Sequence, residues 1–186
     1  MRSSSLPLVA RLTKCNALCS RLIADVRPLK MRPTEITVDS LPFRFVCDIE
    51  PDRDGEGRIQ EYMPQSRYKG AGVSRLNPNG AGPFCRFRIP SSWRFPGVYA
   101  VTVSDRIMYI GECENLAVRW GLGQYGSIQP KNCYVGGQST NCKINNRVLQ
   151  TCRDGCSVQL WFYQTDNYKS IEQRLRAAVR PEWNSH

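Results

Sequence analysis

From Pro96 onward the chain carries a regular pattern of apolar and polar positions. Residues 97–104 (GVYAVTVS) and 106–111 (RIMYIG) are rich in β-branched and aromatic residues. A short polar turn near Ser104 and Asp105 separates them, which predicts an antiparallel hairpin. A short helix is predicted at ENLAVRW and a second at TNCKINNRVLQTC. In the second, Ile144, Val148 and Cys152 recur four apart and Thr140 is placed to cap the first turn. SVQLWFYQ alternates Val158, Leu160 and Phe162 against Gln159, Trp161 and Tyr163, which is the period of a strand. NYKSIEQRLRAAVR reads as a helix that stops ahead of Pro181, because a residue preceding proline is pushed out of helical backbone. The order β-β-α-α-β-α predicts an α+β fold, a small three-stranded antiparallel sheet flanked by helices, spanning residues 93–186.

Upstream the pattern weakens. Residues 31–92 contain one plausible strand, PFRFVCDI, then the charged stretch DRDGEGR and the breaker-rich KGAGVSRLNPNGAGP, so they read as an N-terminal extension of strand and loops. The last segment suits a DNA-contacting insertion and a linker equally. Residues 1–30 form a basic leader with a single acid, Asp25, and Leu18, Leu22 and Val26 on one helical face. Three readings of the leader stay open: an organelle transit peptide, untranslated sequence ahead of a start at Met31, and a basic amphipathic arm. A length of 186 residues suits one compact domain with an appendage.

Charge sharpens the choice of partner. The net +10 comes from 26 Lys+Arg against 16 Asp+Glu, and about half of the excess lies in the leader. Such an excess favours polyanions such as nucleic acid or anionic lipid, although a solvated basic face carries the same signature. No run approaches the ~18 apolar residues of a membrane span. Nine cysteines, an odd number, in a chain without a secretory hydrophobic region point to reduced thiols and a cytoplasmic compartment. Cys15/Cys19 and Cys152/Cys156 lack the tight CxxC spacing of zinc sites, so most cysteines read as small buried hydrophobes.

The single histidine, His186, is the last residue. Ser/His/Asp triads, Cys/His pairs and HExxH zinc chemistry all require an internal imidazole and are excluded. The phosphate-cradling GxxxxGK[ST] loop is missing as well. Hydrolysis by this chain would have to use tyrosine, lysine, carboxylate and metal.

Gly97-Val98-Tyr99, Tyr109-Ile110-Gly111, Arg119, Glu172 and Asn184 follow one another in that order, and together they resemble the GIY-YIG nuclease superfamily. The similarity spans roughly residues 93–184. YIGE, GGQ.TNCKIN and the ending PEWN look closest to its type II restriction endonuclease branch. The resemblance implies a divalent-metal-dependent endonuclease acting on double-stranded DNA. Tyr99 would be the base or the residue that orients water, with Tyr109 beside it. Arg119 would be a donor to the scissile phosphate, Glu172 the ligand of Mg²⁺ or Mn²⁺, and Asn184 an orienting residue. The family places a His or Tyr about one turn after the arginine. Gly123 stands there in this chain, so Tyr125 is the substitute candidate.

Each residue also has a plainer reading from its chemistry alone. Strand tyrosines are commonly half-buried core residues, an isolated helix arginine is commonly a surface cation, and Glu172 is spaced to pair with Arg176. Lys143, Asn145 and Asn146 are expected contacts to DNA backbone or bases. A restriction enzyme would further imply a homodimer matching a palindromic target. The competing functions are a repair or mobile-element nuclease and a catalytically silent DNA-binding protein of the same fold. A structural or RNA-binding protein is a weaker alternative, and it would need no Glu172.

Overall fold

The structure is a computed structural model and describes residues 33–69, 72 and 74–185. The leader with Cys15 and Cys19, three residues of the Gly-rich segment and His186 lie outside the described residues. The strands are β1 (Glu35–Val38), β2 (Leu41–Asp48), β3 (Gly97–Val103), β4 (Arg106–Cys113) and β5 (Val158–Gln164). The helices among the described residues are α1 (Leu116–Arg119), α2 (Ser139–Arg153) and α3 (Tyr168–Val179).

The expected hairpin forms as β3 and β4, and it turns on Ser104 and Asp105 with φ of 49° and 64°. Two consecutive residues with positive φ give the turn whose twist matches a pair of strands. Asp39 and Ser40 repeat the device, with φ of 45° and 67°, between β1 and β2.

The sheet is broader than the sequence predicts. Five strands pair antiparallel in the order β1-β2-β5-β3-β4, and this overturns the expected small three-stranded sheet with an N-terminal extension. The reason lies in β5. Phe162 and Trp161 would occupy an open sheet edge if β3 were their sole neighbour, and an apolar edge strand invites aggregation. Instead β2 pairs with that edge, setting Arg44 opposite Phe162 and Phe45 opposite Trp161.

Both faces of the sheet are buried. Tyr99, Val101, Leu160 and Phe162 pack with Ile144, Val148 and Leu149 of α2. Val98, Ala100, Ile110 and Trp161 pack on the opposite face with Leu175 of α3. The alternation read in β5 therefore separates two cores rather than core from solvent, and Trp161 satisfies its indole N–H on the Thr102 hydroxyl at 2.9 Å. Helix α2 begins at Ser139, and no side chain caps it. The expected cap Thr140 lies within the first turn, and the Ser139 hydroxyl accepts from Asn79 Nδ2 at 2.9 Å.

Phe43 of β2 is fully buried and packs against Tyr163 at a ring separation of 5.7 Å. Phe43→Ala is expected to cost about 3–5 kcal/mol and to lower the single unfolding midpoint followed by tryptophan fluorescence. An unchanged midpoint would mean that β1 and β2 are an appendage.

Candidate active site

Pairing of β3 with β4 places Tyr99 opposite Gly111 and Tyr109 opposite Val101. Side chains two positions apart share a face, so both rings point toward α2, with centroids 6.1 Å apart. The glycines of the two tripeptides have a steric cause. A Cβ on Gly111 would lie 2.4 Å from the Tyr99 hydroxyl oxygen, and one on Gly97 would lie 2.3 Å from the Tyr163 carbonyl oxygen. Both positions are closed to any other residue without displacing a neighbour.

Tyr125 fills the space between the two tyrosines. Its hydroxyl lies 3.2 Å from that of Tyr99 and 3.2 Å from that of Tyr109, and it accepts a hydrogen bond from Arg119 Nη2 at 2.8 Å. Trp120 meets the rings of Tyr99 and Tyr125 edge-on at 5.5 and 5.0 Å. Arg119 ends α1, whose first turn is capped by Asn115 Oδ1 accepting from the Val118 N–H at 3.1 Å. Tyr125, the substitute candidate for Gly123, is thus the residue at which the others meet.

Two asparagines one turn apart on α2 hold this arrangement. Asn145 accepts from the Cys85 N–H at 2.9 Å, and its amide donates to the carbonyls of Cys85 and Tyr125 at 2.9 and 2.8 Å. Asn141 donates to Gln124 Oε1 at 3.1 Å, and the same oxygen accepts from Arg119 Nη1 at 3.3 Å. The sequence alone assigns no role to Gln124 or Asn141. The signal that could reveal them is an asparagine pair spaced i, i+4 along the apolar stripe of a helix, since a buried amide must find partners. The expectation that Asn145 touches DNA is not met. It is fully buried with its amide committed to backbone, so its role here is to hold the Tyr125 loop.

The remaining predicted residues surround this cluster. Asn184 donates to the Ile110 carbonyl at 2.8 Å and accepts from the Ile110 N–H at 2.9 Å, acting as one rung of a strand on the open edge of β4. Glu172 stands on α3, with Oε1 accepting from Arg176 at 3.2 Å and a side chain 16% exposed. It lines a cleft with Arg176 and Asn184. Those two residues continue into a second cleft, which Tyr109 and Trp183 also line. Glu172 is therefore on the rim next to the tyrosine cluster, not inside it. The Lys143 ammonium meets the Ser185 carbonyl oxygen, and Asn146 donates to the Pro83 carbonyl at 3.2 Å.

Burial, followed by the neighbouring Tyr125 oxygen, pushes the phenols of Tyr99 and Tyr109 well above their ordinary value. Neither is a phenolate near neutral pH in this arrangement. Tyr99 is sealed from solvent, and Tyr109 is the tyrosine that opens to the cleft. Burial also raises the Glu172 carboxyl, and Arg176 opposes that shift without cancelling it.

No group of three or more His, Cys, Asp or Glu among the described residues could hold a metal ion. A lone carboxylate still suits Mg²⁺ or Mn²⁺, hard cations that keep several waters and take their other oxygens from a phosphate. The seven described cysteines are free thiols, and burial pushes Cys47, Cys85 and Cys113 up to about 12, which leaves them inert at neutral pH. No helix among the described residues is long and apolar enough to cross a membrane. Comparison with known protein families, curated proteins and solved structures finds no match.

A carboxyl whose pKa is raised by folding favours the protonated native state, so its contribution to stability is lost as pH rises through that pKa. Glu172→Gln is therefore expected to melt at a higher temperature than the unaltered protein at pH 7, with the gap closing in acid where both side chains are neutral. A lower melting temperature at pH 7 would show that the Glu172–Arg176 pair is a net structural contact.

Proposed function

We propose that this chain is a divalent-metal-dependent endonuclease that hydrolyses phosphodiester bonds in double-stranded DNA. One observation carries the reading. The two strand tripeptides, Arg119 and Tyr125 converge on one hydroxyl at 2.8–3.2 Å, beside a cleft whose rim bears a carboxylate with a raised pKa. Carboxyls perturbed by burial beside a cleft cluster at functional sites.

Each group has a task in such a reaction. The Arg119 guanidinium, which lines the neighbouring cleft and donates to Tyr125, holds the Tyr125 hydroxyl in place and sets a positive charge behind the tyrosines, where it offsets the charge that develops as the attacking oxygen adds. The Tyr125 hydroxyl has one proton and two lone pairs. With Arg119 on one lone pair, one of the two flanking tyrosines donates to Tyr125 and the other accepts. Tyr99 has no water to turn to and takes the donor role, so Tyr125 donates to Tyr109. The proton of Tyr109 is then free to face the cleft, where the hydroxyl orients the attacking water. Tyr99 acts through this chain rather than as the base. Glu172 would hold the divalent cation, which when bound would supply Lewis-acid polarisation of the phosphate. Asn184 fixes the backbone of the Tyr109 strand. In the restriction-enzyme form of this reading the protein works as a two-fold dimer on a palindromic site.

Glu172→Gln preserves shape and removes charge, which separates a nuclease from a silent DNA-binding protein. Cleavage of DNA with Mg²⁺ is expected to fall by several orders of magnitude, as follows from losing several kcal/mol of transition-state stabilisation. Binding to the same DNA without metal is expected to persist or tighten, because a negative charge facing a polyanion is gone. Unchanged cleavage would remove Glu172 from the site. A protein that binds but never cuts, unaltered or variant, would support the silent reading.

A further inference from the structure

The clefts beside Tyr109 do not end at the tyrosine cluster. From Glu172 and Arg176 the depression passes Tyr109 and Asn184, reaches Lys143 of α2, and continues past Asn79 and Asn146 to Arg147. Each segment shares residues with the next. Arg176 and Asn184 join the first two, and Lys143 with Asn79 joins the last two. Four cations, Lys143, Arg147, Arg176 and Arg180, line this path against one carboxylate, Glu172. Among the described residues neither Lys143 nor Arg147 has a carboxylate partner. Lys143 and Arg147 are one helical turn apart, so they present like charges on one face.

Unpaired like charges along a groove repel each other, and the repulsion is relieved when an anion lies between them. Lys143 lies within that field. Burial, and next to it the charges of Arg147 and Arg176, hold its ammonium below the ordinary lysine range. The walls between the cations are hydrogen-bonding rather than apolar. The Asn79, Ser139 and Thr140 side chains there match phosphate and sugar oxygens. The cleft that Arg119 lines is different, because there Glu112 and Glu114 face Arg119 and Lys169 and the charges balance. An extended polyanion would be held on the α2 side of the site.

We propose that the groove formed by Lys143 and Arg147 of α2 with the loop at 78–82 is the track for the DNA backbone flanking the scissile phosphate. Lys143 and Arg147 each contact a phosphate, and Asn146 lines the same wall. The track rests on the nuclease reading for the position of the scissile bond. Its test is independent of cleavage.

The experiment measures binding of a duplex oligonucleotide, without divalent metal, across a range of NaCl concentrations. Removing one cation that neutralises a phosphate lowers the steepness of log K against log salt by about 0.9. Lys143→Gln/Arg147→Gln in the full chain is expected to reduce the slope by one to two such steps. The control Arg44→Gln/Arg58→Gln removes the same net charge. Arg44 lies on β2, three strands from β4, and Arg58 is already paired with Asp54. The control is expected to leave the slope unchanged. If the double variant melts early, Arg147→Gln alone serves, because that side chain is exposed. Equal slopes in the cleft variant and the unaltered protein overturn the track, as does an equal reduction in the control. A reduced slope in a protein that cuts no DNA keeps the track and removes the nuclease reading. Cleavage with an unchanged slope does the reverse.

Discussion

The hydroxyl of Tyr125 is the contact on which this architecture turns. It joins β3 through Tyr99, β4 through Tyr109 and the end of α1 through Arg119, each at 2.8–3.2 Å in a buried setting. A buried polar group without partners costs about 1–3 kcal/mol, so a cluster of three phenols and a guanidinium is stable only when complete. The elements that converge here are therefore fixed relative to one another by a requirement for mutual satisfaction, and not by apolar packing alone.

Completeness depends on residues outside the cluster. Gly111 leaves the space in which the Tyr99 hydroxyl sits, and Asn145 ties the Tyr125 carbonyl to α2 while pairing both backbone groups of Cys85. Asn141 and Gln124 steady the other arm of Arg119. Asn184 closes the exposed rung of β4 at Ile110, so the terminal segment is anchored beside Tyr109. Tyr109 then borders one cleft and Glu172 the rim of the next, both on rigid supports, which is the arrangement a preorganised site requires. The raised carboxyl of Glu172 is the opposing cost: a charge held where burial disfavours it.

The elements that carry the cluster are legible in the sequence because their periods are strong. The β3–β4 hairpin, α2, β5 and α3 each show one clear repeat, and the Ser104–Asp105 turn marks the hairpin. Strand β1 is not legible, because four residues reading EITV carry too little pattern. The breadth of the sheet is hidden for a related reason. The pairing of β2 with β5 joins residues more than a hundred positions apart, and no local signal encodes it. Among the candidate site residues, the resemblance singles out Tyr99, Tyr109 and Arg119, with Tyr125 standing in for Gly123, and the fold brings these four side chains into contact. Asn145 misleads because an asparagine on a basic helix looks like a DNA contact. Its neighbours Ile144 and Val148 show the inward side of that helix.

Phosphodiester hydrolysis is the central proposal, and the most direct measurement is incubation of the purified 186-residue chain with long unmethylated phage DNA. That substrate offers many sequences at once. On the nuclease proposal, DNA is expected to be cut into discrete fragments or nicked when Mg²⁺ or Mn²⁺ is present, and a chelator is expected to abolish the cutting. DNA left intact by stoichiometric protein with either metal would contradict it.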